Sequence, residues 1–119
     1  MATIPRTLFY SEFEVTMPKA YMMVHLEVTN PEAFADGIGS KVSDIAKEFG
    51  GKFLVQLPAV HRYENQFTGK QADVHGIIEF PDSASAIAWY ESDQYKAILP
   101  ARANNTINTY FAIVDGVPD

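Results

Sequence analysis

Twice in this chain an alternating apolar stretch runs straight into a helix start, and that repeated boundary restricts the fold more than any other feature. In the first instance, Ala20 to Val28 places Met22, Val24, Leu26 and Val28 on one side and Tyr21, Met23, His25 and Glu27 on the other. That period of two is the mark of a strand buried on one face. Asn30-Pro31-Glu32 follows at once: an N-cap, a proline suited to the first helical turn, and an acid favourable to the helix dipole. In the second instance the strand Val74 to Phe80 passes into Pro81-Asp82-Ser83, which opens another helix. A helix that starts this close to the end of a strand packs back onto the sheet that strand belongs to.

The remaining segments complete the order. Phe34, Ile38, Val42, Ile45 and Phe49 recur at helical spacing, so one helix is expected from Pro31, weakened by Gly37 and Gly39 and stopped by Gly50-Gly51. Lys52 to Glu64 is rich in strand formers, but Pro58 cannot donate to a ladder and marks an edge strand with a break. Residues 65–73 are polar and hold Gly69, as expected of a hairpin-type loop. The second helix breaks at Glu91–Ser92, is capped afresh by Ser92-Asp93-Gln94, and continues through Tyr95, Ile98 and Leu99. Ile107 to Val114 is the last strand. The order β-α-β-β-α-β predicts an α+β, ferredoxin-like plait with a four-stranded antiparallel sheet.

Residues 1–18 read as an extension before the domain, which spans 19–119. Phe9, Phe13 and Val15 share one side of an alternating stretch, consistent with either a short strand or a frayed tail. A chain of 119 residues forms one core without staples, and the absence of cysteine removes disulfides and thiolate chemistry. The net charge of −6, with scattered basic residues, argues against nucleic-acid binding. No apolar run is long enough to span a bilayer, and Glu12 and Glu14 interrupt any leader-like stretch. A cytoplasmic location is the expectation.

Two helices on one side of a sheet leave the other side open. Tyr21, Met23, Ile77, Phe111 and Ile113 are the residues expected there, too apolar for water, so a homodimer through the sheet face is expected. His25 and Glu27 on the first strand should approach His75 and Glu79 on the third. Two imidazoles and two carboxylates can perform acid–base chemistry, contact a ligand or hold a metal, or they can simply be the polar lining of a wet dimer cleft. If they act chemically, His25 or His75 is the candidate base, and no metal or cofactor is expected. Arg102, ending the segment Trp89–Arg102, suits a bidentate grip on a carboxylate, belonging either to a ligand or to the protein. Tyr95 either presents its hydroxyl to the same cleft or fills the core. Adjacent on their helix, Trp89 and Tyr90 must face different ways. Among motifs with a known mechanism, no phosphate loop, nucleophile elbow or His-Glu-x-x-His helix occurs.

Asn30-Pro31-Glu32-Ala33-Phe34, Gly50-Gly51-Lys52-Phe53-Leu54-Val55, Ile78-Glu79-Phe80-Pro81, Trp89-Tyr90-Glu91-Ser92, Tyr95 and Leu99-Pro100-Ala101-Arg102 occur in this order. As a set they resemble the domain-of-unknown-function 1330 family of the dimeric α/β-barrel superfamily, over about residues 20–116. The resemblance implies a ferredoxin-like homodimer with no agreed reaction. Superfamily relatives include cofactor-free monooxygenases, isomerases and haem-handling proteins that use a pocket beside the sheet. Glu64 stands where the family commonly has an acid, and would either pair with Arg102 or meet a ligand. The chain departs from the family at Leu57-Pro58-Ala59 and at Gln71-Ala72-Asp73, so ligand specificity does not carry over. The expected function is a small-molecule-binding protein or cofactor-free enzyme, with Glu64, Tyr95 and Arg102 toward the ligand. The alternative is a non-catalytic dimeric module.

Overall fold

In β1 (Ala20–Val28) the alternation of the sequence becomes alternation of burial: Met22, Val24 and Leu26 are buried, whereas Tyr21, Met23 and His25 are half-buried. The structure is a computed structural model, and it describes residues 18–64 and 74–117. The expected N-terminal extension, apart from Pro18, and the polar loop of residues 65–73 lie outside them. The other strands are β2 (Lys52–Leu57), β3 (Val74–Phe80) and β4 (Thr106–Asp115). They form one antiparallel sheet in the order β2-β3-β1-β4. This is the ferredoxin-like plait, and it puts β1 and β3 side by side at the centre, with His25 directly opposite His75.

The helix starts stand where their caps were expected. The Asn30 side chain accepts from the Ala33 amide at the head of α1 (Pro31–Gly37). Asp82 accepts from the Ser85 amide at the head of α3 (Ser83–Tyr90), and Ser92 accepts from the Tyr95 amide at the head of α4 (Asp93–Ala103). Each such bond satisfies an amide that the helix cannot, typically worth about 1 kcal/mol. The single helix expected from Pro31 is in fact two, α1 and then α2 (Lys41–Glu48). The glycines explain the division. A Cβ on Gly37 would fall 2.3 Å from the Ala101 Cβ, so glycine lets α1 lie against α4, and Gly39 at φ +30° turns the chain between the two pieces.

All four helices lie on one side of the sheet. Trp89 and Tyr95 are its largest buried side chains, with ring centroids 4.7 Å apart, and Phe80 stands 5.5 Å from Trp89. One part of the expected open face is corrected. Phe111 pairs with Val24 and Ile113 with Met22, so both point toward the helices and pack on the core. Strand β4 is apolar on both of its sides, so alternation alone cannot choose a face; its pairing with β1 does. The open face therefore carries Tyr110, Ala112 and Val114 from β4, beside Tyr21, Met23, His25, His75 and Ile77. The expected second strand is also shorter, ending at Leu57 just before Pro58, and it is an edge strand as expected.

Candidate functional site

The candidate residues separate onto the two sides of the sheet. On the open side, His25 Nδ1 and His75 Nδ1 are 2.8 Å apart, with the rings at 82°. One ring must donate and the other accept, so the pair shares a single proton on that axis and at least one ring is neutral. Burial lowers the His25 pKa, and the neighbouring His75 lowers it further. The two carboxylates do not join the pair. Glu27 is 5% exposed and accepts a bond from the Asn108 amide group, while Glu79 accepts from the Tyr21 hydroxyl and pairs with Lys19 at 3.3 Å. Four residues separate His75 from Glu79, about 13 Å along a strand. No group of three or more metal-ligating side chains forms among the described residues.

On the helix side lies a cavity of about 80 Å³. Its floor is sheet, with Val24, Gly76 and Phe111; its roof is Phe34, Ile38 and Val42 from α1, the connection to α2, and α2 itself. Trp89, Tyr95 and Arg102 are also in its wall. Arg102 reaches it because Tyr95, Ile98 and Arg102 are the buried stripe of α4, at helical spacing. The residue is 8% exposed. Its Nη2 donates to the Tyr90 hydroxyl at 3.1 Å, and its guanidinium carbon sits 4.4 Å above the centre of the Phe111 ring. Its Nε–H is buried with no partner, and so is the Trp89 indole N–H. Burial pushes the Tyr95 hydroxyl up to about 12, against the opposing pull of Arg102, so this group stays a neutral phenol.

Tyr95 and Arg102 are thus brought together, and His25 and His75 are brought together, but the sheet separates the two pairs. Glu64 is exposed beyond the end of β2 and joins neither. No carboxylate among the described residues lies within 4 Å of the Arg102 guanidinium, so a Glu64–Arg102 ion pair does not form. Sequence reasoning missed Trp89 as a free donor and Tyr90 as the partner of Arg102. The first had no signal, because a buried tryptophan looks like core. The second arises from the turn at Ser92, which folds α4 back so that residues twelve apart meet.

An antiparallel plait with helices on one side, and a cavity between the two layers, defines the ferredoxin-like class. Solved structures agree on that fold. A protein of unknown function from Rhodopseudomonas palustris superposes with a TM-score of 0.71 at 14% identity, covering 98% of this chain and 97% of that one. A conserved protein from Methanosarcina mazei gives 0.62 at 17% identity, over 88% and 99% of the two chains. A Nitrosomonas europaea protein assigned provisionally to the antibiotic biosynthesis monooxygenases gives 0.61 at 14% identity, over 85% and 92%. No curated protein sequence matches significantly. The family model for the domain of unknown function 1330 matches residues 19–117, and the chain belongs to that family.

Proposed function

We propose that the protein binds a small molecule in the cavity between the sheet and the helices. The observation that carries this reading is the cavity itself, a half-open, largely apolar pocket whose wall includes Tyr95 and Arg102. A well-packed core leaves few voids larger than a water molecule, and one with convergent polar groups is the usual form of a ligand site. Among the described residues no histidine or carboxylate lines it, which favours binding over proton transfer. The provisional monooxygenase assignment of the Nitrosomonas europaea neighbour is compatible with a small organic ligand. We also propose that a second copy covers the open face. Tyr110 and Val114 are about half exposed there beside Met23 and Ile77, and the His25–His75 pair would lie within that interface.

A thermal-shift screen of small organic compounds tests the first reading, with Val42→Phe to fill the cavity. At least one compound should raise the melting temperature of the native protein and fail to raise that of the variant. Equal shifts in both proteins would place binding elsewhere and end the proposal. Light scattering at micromolar concentration tests the second, since the mass of a single chain would contradict it.

A further inference from the structure

A guanidinium is a fixed charge, and removing one from water without a counter-charge is among the most expensive things a fold can do. Buried arginines are therefore normally met by a carboxylate, and Arg102 is not. Its partners among the described residues are the Tyr90 hydroxyl, the Tyr95 hydroxyl and the face of Phe111. These hold the guanidinium in place and offset part of its desolvation, but none neutralises it. Among the described residues, one edge of the fork, Nε–H, has no acceptor, and the indole N–H of Trp89 in the same cavity wall has none either. Two unmatched buried donors around one small void are not random, since more than nine in ten buried polar groups are satisfied. Tyr95 adds a neutral hydroxyl and no negative charge.

The cavity thus offers positive charge and hydrogen-bond donors inside an apolar shell, which is the complement of an organic anion. We infer that the cavity is a carboxylate-binding site, in which a short-chain monocarboxylate sets its oxygens against Arg102 Nε–H and Trp89 Nε1–H and its carbon chain against Val24, Phe34 and Val42. A carboxylate supplies what the site lacks: a formal charge to balance the guanidinium, and two planar acceptor oxygens for two donors. A neutral amide or alcohol supplies at most an acceptor. Size restricts the class further. For comparison, an apolar cavity of about 150 Å³ accommodates benzene. The 80 Å³ here admits a carboxylate with a few carbons, and a longer chain would have to extend out of the cavity. This inference rests on the binding reading above and specifies the ligand of that same site.

The chain has one tryptophan, so the indole N–H gives one resonance in a ¹H–¹⁵N spectrum and reports directly on the proposed acceptor. Propionate, propionamide and 1-propanol, matched in size, are titrated into the native protein, Arg102→Met and Val42→Phe. Propionate should move the indole resonance in a saturable way. It should bind at least tenfold more tightly than either neutral analogue, and at least tenfold more weakly to Arg102→Met. If the amide or the alcohol binds as well as propionate in the native protein, and Val42→Phe abolishes both, the anion class is wrong while the cavity remains a binding site. If propionate binds but Val42→Phe leaves it unaffected, the cavity reading itself fails. A native protein whose indole resonance does not respond to propionate overturns the inference outright. Should Arg102→Met not fold, Trp89→Phe removes the indole donor together with the five-membered part of the ring; unchanged propionate affinity by calorimetry would then remove Trp89 from the site.

Discussion

The two faces of the sheet hold the same kinds of side chain and use them in opposite ways. Beneath the helices, a permanently charged arginine is enclosed among aromatic rings, with a donor to spare. On the open face, His25 and His75 meet directly through their Nδ1 atoms, and burial and the neighbouring His75 lower the pKa of His25. The difference lies in what each group can do when desolvated. An imidazole can become neutral when buried, so two rings can meet by sharing one proton, although His75 Nε2 is buried without a partner among the described residues. A guanidinium keeps its charge and must find compensation, from an aromatic face, a hydroxyl or a ligand. Unbalanced charge in an enclosed site points to binding chemistry more strongly than a cluster of titratable residues does.

The comparison predicts a steep contrast in stability. Trp89→Ala should cost about 3–5 kcal/mol, the usual loss for a large buried aromatic. Val114→Ala on the open face should cost less than about 1 kcal/mol at dilute protein concentration. Urea unfolding of both variants measures this, and a Val114 loss approaching that of Trp89 would abolish the distinction between the faces. A smaller effect tests how the helix side is assembled. Ser92→Ala removes the bond to the Tyr95 amide and should cost about 1 kcal/mol. Because α4 carries Arg102, it should also shift the indole resonance of Trp89; a stability loss with an unmoved indole would mean that the cap does not position the site.

The third prediction concerns the open face and is the smallest. The pKa of His25 in the folded protein is lowered, so the unfolded chain takes up that proton first as the pH falls. Stability is therefore complete above the ordinary histidine value of about 6.5, and is lost as the pH drops below it toward the folded value. The urea midpoint should fall between pH 7.5 and pH 5.5, and it should fall less in His25→Asn. An equal fall in both proteins would assign the effect to other groups.

Local chemistry was legible in the sequence and three-dimensional compensation was not. The strand β1 and the caps Asn30, Asp82 and Ser92 depend on residues within a few positions of one another, and they stand as read. The pairing of His25 with His75 also followed, because strand order alone makes them opposite. The facing of β4 did not, since Phe111 and Tyr110 are equally able to be buried and only the register with β1 distinguishes them. The division at Gly37–Gly39 was visible as weakness but not as a turn, because its cause is Ala101, more than sixty residues away. The burial of Arg102 was not legible either. Its spacing from Tyr95 and Ile98 was the available sign, though a charged residue on a buried stripe is normally discounted.

The turn at Ser92 has one more consequence, and it concerns how members of this fold can diverge. Trp89 and Arg102 stand on separately capped helices, so the number of residues joining α3 to α4 sets their relative orientation. Each residue of a helix advances its face by about 100°. A one-residue change at Glu91–Ser92 that moved the buried stripe of α4 by one position would turn the arginine away from the cavity toward solvent. The sheet and its register would not change. A single codon at a junction could therefore remove the arginine from the cavity proposed as the binding site while leaving the sheet intact. Relatives with a junction of different length are expected to lack a buried arginine at this site, and aligning their structures on β1 and β3 would check it.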